Sequence, residues 1–251
     1  MKALNHSQIW IAMMAAIGSY GMNHQTDGLY VLWVFFLTLF VYNGYRWLKI
    51  QLGKVNSHRL DHVWSIDHKH WHQIVAITCC LISCLLLMWI DLNKLHNIRI
   101  GSFLLALYIL MIFGLRGTTF RPHLNSFIKA LILSLTWSFV LQPHADVFDS
   151  NFQWFKMTYI VLFLFGLALS FELRDQANIK PTMLALSIIS LASACAIQGY
   201  FNSYHLILII AFYVFAILLI VRQSRDTQNV HFAWPIDGLI GLFGLLHLVI
   251  T

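Results

Sequence analysis

Apolar runs recur from one end of this chain to the other, and they limit the folds open to it more than any other feature. They cover approximately Ile9–Met22, Leu29–Leu48, Ile74–Ile90, Ile100–Leu115, Phe127–Leu141, Phe155–Phe171, Met183–Gly199, Tyr204–Val221 and Ile236–Ile250. A helix needs about 20 apolar residues to cross about 30 Å of hydrocarbon. Several runs are shorter, so their polar ends must extend them. Charged residues make up 10% of the chain, against about 25% in a soluble domain, whose surface must face water. Runs spread over the whole length exclude a soluble domain on a single anchor. The expectation is an all-α polytopic membrane protein with about nine transmembrane helices. One domain over residues 1–251 is the expected organisation.

Lys and Arg orient the spans. With the N-terminus inside, all but Lys94, Arg99 and Lys156 of the 16 basic residues fall on inner segments. Cytoplasmic loops carry such an excess. Strict alternation of nine spans then puts the C-terminus outside, and losing one span from the middle would scramble the pattern. The first run lacks a strongly basic flank and a small-residue cleavage site, so it reads as a retained span. Cys79, Cys80, Cys84 and Cys195 lie within apolar runs, which suits core-filling thiols and argues against a disulfide framework. The net charge of +6 is spread over short loops. That distribution argues against nucleic-acid binding and suits contact with anionic lipid. The expected location is the bacterial inner membrane.

Ionisable groups near a membrane core are functional candidates. Two stretches stand out. Val41-Tyr42-Asn43-Gly44-Tyr45-Arg46-Trp47-Leu48-Lys49 ends the second run, and Phe171-Glu172-Leu173-Arg174-Asp175 ends the sixth. Both runs go from outside to inside, so both ends reach the inner face. Glu172 and Asp175, three apart, share a helix face if the helix continues. Carboxylates there suit Mg²⁺ shared with phosphate oxygens, and Arg side chains suit the phosphate itself. An apolar bundle beneath suits a lipid tail. Asn43, Arg46, Glu172, Arg174 and Asp175 are the main candidates, with Lys129 and Asp237 secondary. The alternative is that these are ordinary interfacial charges.

With these segments, with Pro122 to Lys129 leading into the fifth run, and with Ile236-Asp237-Gly238 opening the ninth, the chain resembles the UbiA-type intramembrane prenyltransferases. The resemblance implies a nine-span bundle with two Asp-rich motifs at the inner ends of spans two and six. Those motifs hold an isoprenoid diphosphate through Mg²⁺. The motifs here depart from that pattern. After Asn43 the four-residue steps fall on Trp47 and Gln51, and after Asp175 on Ile179, with Asn178 nearby. The expected function is therefore a non-catalytic UbiA-like protein that binds an isoprenoid or quinone-like lipid, or serves as a subunit of a larger membrane complex. An active Mg²⁺-dependent prenyltransferase acting on an aromatic or lipid acceptor is the alternative.

His58, His62, His68, His70 and His72 crowd the segment between runs two and three, with Asp61 and Asp67 among them. His58 and His62 are four apart, as are His68 and His72, a spacing that metal ligands on a helix use. The segment reads as a polar inner loop, as a cap over a substrate cavity, or as the metal site of a membrane oxidoreductase. Trp10, Trp47, Trp71, Trp89, Trp154 and Trp234 lie near the expected interfaces, where indoles anchor. A ring facing a cavity could instead stabilise an allylic cation.

Overall fold

The structure is a computed structural model, and it describes residues 8–22, 27–53, 60–90, 96–114, 122–142, 154–174, 186, 188–189, 192, 203–225 and 233–250. Among the described residues every regular element is an α-helix. They are α1 (Ile9–Met22), α2 (Gly28–Gln51), α3 (Leu60–Asp67), α4 (Lys69–Leu87), α5 (His96–Gly114), α6 (Pro122–Leu141), α7 (Trp154–Arg174), α8 (Ser203–Arg225) and α9 (Ala233–Ile250).

Eight of these helices coincide with apolar runs. The seventh run, Met183–Gly199, is described at Leu186, Ile188, Ile189 and Ala192, all of them helical. The remaining helix, α3, falls where the sequence suggested a loop. Leu60, Val63 and Trp64 follow the helical spacing of one apolar stripe, which accounts for a short helix beside the polar residues. His68 separates it from α4, with φ −108° and ψ 32°. Among the described residues, three helical stretches are long and apolar enough to cross a membrane: Gly28–Gln51, Lys69–Leu87 and His205–Arg222.

The chain forms two compact units. The first comprises Met1–Leu92, Asn229–Val249 and Thr251, and the second comprises Asn93–Gln228 and Ile250.

In the first unit, α2 packs between α1 and α4. Ala12, Leu39 and Cys79 form the buried centre, with Phe36, Phe40 and Val75 against it. Asp27 starts α2 by accepting the Leu29 N–H on its side chain, which satisfies one of the orphan donors of the first turn. Gly53, at φ +62°, follows the helix's end in the left-handed conformation that glycine adopts without Cβ strain. Helices α1 and α9 meet through glycine. A Cβ at Gly21 would overlap the Gly244 carbonyl, and one at Gly244 would lie 2.5 Å from Gly18 Cα. Trp10 lies against Gly238 and Met14 against Gly241, so the two helices run parallel.

In the second unit, α5 and α6 pack antiparallel. Gly101 faces Thr136, Phe139 and Val140, and the Asn97 amide donates to the Gln142 carbonyl. Ala130, Phe165, Ala168 and Leu169 join α6 to α7, with Ile188 packed beside them. Phe163 meets Phe212 and Tyr213 of α8. Ser134, Thr136 and Ser138 turn their hydroxyls onto carbonyls of their own helix, which hides polar groups in a span.

The exposed faces are as apolar as the buried ones. On α4, Ile74, Ile77, Leu81 and Leu85 are each more than half exposed. On α8, Ile207, Val214, Phe215 and Leu218 are exposed, while Ile209, Phe212, Ala216 and Ile220 are buried. A helix apolar all round belongs inside a protein or in a bilayer. Apolar helices of this length are those of a membrane-associated protein.

Candidate functional site

The C-terminal end of α2 carries a polar cluster. An asparagine inside a helix competes for backbone hydrogen bonds, and Asn43 resolves that competition within its own helix. Its Nδ2 donates to the Leu39 carbonyl at 2.9 Å. That fixes the amide's orientation, so Oδ1 faces the neighbouring helix. There it meets His72 Nδ1 of α4 at 2.8 Å. Oδ1 can only accept, so His72 Nδ1 is the donor. Both residues are completely buried.

Helix α3 covers this pair. Trp64 presents its ring edge-on to His72, with centroids 5.8 Å apart. The same indole stacks on His68 at 4.2 Å, whose Nδ1 lies 2.9 Å from the Trp64 carbonyl. One turn beyond Asn43, Arg46 donates from Nη1 to Ser65 Oγ at 2.9 Å, and Ser65 is itself buried. Lys49 lies over the Tyr45 ring, 5.9 Å from its centroid. Asn43, Arg46, Trp64, Ser65 and His72 thus tie α2, α3 and α4 together at one level.

Two residues assigned to separate groups by the sequence, Asn43 and His72, are therefore partners. Arg46 is half-buried against α3. His68 is exposed although His72, four residues on, is sealed, and Asp67 and His70 are also exposed. Lys129 is half-buried on α6, next to Ala130 of the α6–α7 core. Glu172 and Arg174 lie on the last turn of α7, Asp61 and His62 on α3, and Asp237 on α9, and their side chains are outside the described residues. His58 and Asp175 lie wholly outside them. Among the described residues no group of three or more His, Cys, Asp and Glu side chains could hold a metal ion.

Sequence reasoning missed Trp64 and Ser65. A usable signal existed for His72, which shares the α4 stripe of Ala76, Cys79 and Ser83 at three- and four-residue steps. That is the face buried in the structure. No family model matches the chain, and no curated protein or solved structure matches it.

Proposed function

We propose that this chain is an integral membrane protein of nine spans and UbiA-like organisation. In it the first motif position serves helix packing rather than diphosphate binding, and the protein is non-catalytic. It binds an isoprenoid or quinone-like lipid, or serves as a subunit of a larger membrane complex in the bacterial inner membrane. One observation carries this reading: both polar ends of the Asn43 amide are engaged inside the bundle, by Leu39 and His72.

A side chain that ligates a metal–diphosphate must offer its oxygen to a cavity. Asn43 Oδ1 instead accepts from a buried imidazole. Mg²⁺ prefers carboxylate and phosphate oxygens in octahedral array. Around Asn43 the described side chains supply an imidazole, an indole, a hydroxyl and a guanidinium. Those donors do not fit Mg²⁺.

Two further features favour nine spans. The parallel packing of α1 and α9 is what an odd number of alternating crossings requires. The exposed face of α4 runs from Trp71 to Trp89, both exposed. The helical stretch from Trp71 to Leu87 covers about 25 Å at about 1.5 Å per residue, close to the hydrocarbon thickness that interfacial indoles mark.

The test is transfer by the purified full chain in detergent with Mg²⁺ and a panel of prenyl diphosphates. Extraction of the lipid that copurifies and stoichiometric analysis of copurifying proteins accompany it. No transfer, together with a bound isoprenoid or a stoichiometric partner, is the expected result. Turnover abolished by Asp175→Ala would replace this reading with an active prenyltransferase.

A further inference from the structure

The outer half of the α2–α4 pair contains two buried polar atoms with no hydrogen-bond partner among the described residues: Trp33 Nε1 and Ser83 Oγ. Trp33 is 4% exposed and Ser83 5%. Buried polar groups in folded proteins are almost always satisfied, by protein or by an ordered molecule. Ser83 is unusual here. Thr38, Thr136 and Ser138 each donate to the carbonyl four residues back, and Ser83 does not.

The helices' register brings the two residues to one level. Asn43 pairs with His72, and Leu39 shares a buried cluster with Cys79. Continuing this antiparallel register sets Trp33 at the level of Ser83. At about 1.5 Å per residue, Trp33 lies about 7–8 Å along α2 from its start, at the depth of the apolar layer.

We propose that Trp33 and Ser83 form a site for a hydrogen-bond-accepting oxygen, either the carbonyl of a lipid-soluble molecule such as a quinone or ester lipid, or a buried water. The indole N–H only donates, and the serine hydroxyl can donate or accept. Two donors at one level call for an acceptor with two lone pairs, which a carbonyl oxygen and a water oxygen both have. The site is at the opposite end of the α2–α4 pair from Asn43, and it does not rest on the UbiA-like reading.

Ser83→Ala, nearly isosteric, separates the possibilities by sign. Removing a hydroxyl that holds nothing is neutral or stabilising, and removing one that holds a bound oxygen is destabilising. The expected result for the full chain in detergent is a fall in Tm of about 2–4 °C. Trp33→Phe is expected to be non-additive with it in a double-mutant cycle. In ¹⁵N-labelled protein, Ser83→Ala should shift one of the nine indole N–H resonances, a readout that stands even if the Trp33 variant fails to fold. Mass spectrometry of extracted lipid assigns the source. A carbonyl lipid near one per chain, lost in Ser83→Ala, identifies a lipid carbonyl. The same Tm and resonance changes without such a lipid identify water. An unchanged or raised Tm, additive variants, or no indole shift overturns the proposal.

Discussion

His72 Nδ1 lies 2.8 Å from Asn43 Oδ1, so two side chains 29 positions apart in sequence join α2 to α4 where both are sealed from solvent. Interhelical hydrogen bonds in membrane proteins contribute about 0.6 kcal/mol on average and up to about 1.7. Leaving one partner buried and unsatisfied costs about 1–3 kcal/mol. Asn43→Ala should therefore lower unfolding free energy in mixed micelles by about 1–2 kcal/mol. The double variant Asn43→Leu with His72→Phe should cost less than the two single changes together, because neither polar group is then stranded. Additive losses would show that the two side chains are not coupled.

The contact from Arg46 to Ser65 attaches α3 to the end of α2. Helix α3 has only eight residues, too short to hold helical form by propensity alone. Ser65→Ala and Arg46→Lys should each raise amide exchange across Leu60–Asp67 while leaving exchange in α4 unchanged. The lysine keeps the charge but lacks the guanidinium fork that reaches Ser65. Protection equal to that of the unaltered protein would mean that Trp64 packing alone holds the segment.

Helical class and the position of most helices were legible in the sequence, because hydropathy and the 3.6-residue period act locally. Helix α4 shows how far this reached. Its start at Lys69 lies earlier than the apolar run at Ile74, since His70 and His72 are polar by type, yet His72 faces α2. A local reading cannot know that an asparagine 29 positions upstream receives the imidazole. Asn43 was singled out as a ligand candidate for the same reason. Its sequence neighbours suggested an inner-face site, and only packing shows that both its polar atoms are already engaged. The glycines of α1 and α9 carry a sequence signal for this pairing, because small residues every three or four positions let helices approach closely.

Gly21 and Gly244 test that approach. A Cβ at Gly21 would meet the Gly244 carbonyl, and one at Gly244 would meet Gly18 backbone. Backbone cannot move aside as a flexible side chain can, so α1 and α9 must separate. Gly244→Ala should cost about 1–3 kcal/mol, the usual range for overpacking, and Gly244→Leu should prevent assembly of the pair. Gly28→Ala is the control, since nothing lies within 4 Å of its added Cβ, and it should be neutral. Differential scanning fluorimetry of the three variants reads the order directly.

The proposed arrangement, nine spans with the N-terminus inside, can be tested at two points of the chain. A reporter active only outside the membrane, fused after Thr251, should be active, and the same reporter fused after Arg225 should be silent. Activity at both positions, or the reverse pattern, would remove the arrangement with N-terminus inside and nine spans.

One exposed leucine can test the nature of the solvent around α4. Leu81 is 61% exposed near the middle of the helix, and Met88, just past its end, is 80% exposed. In water, arginine at either site would be nearly neutral, because exposed substitutions typically change stability by about 0.5 kcal/mol or less. In a bilayer, arginine at the centre of a span costs about 2.5–3.5 kcal/mol on the insertion scale, whereas near the end it can extend its charge to the interface. Leu81→Arg should therefore sharply reduce the membrane-inserted fraction, by carbonate extraction and protease protection, while Met88→Arg inserts normally. Equal tolerance at the two sites would mean that the apolar face of α4 is not in contact with lipid.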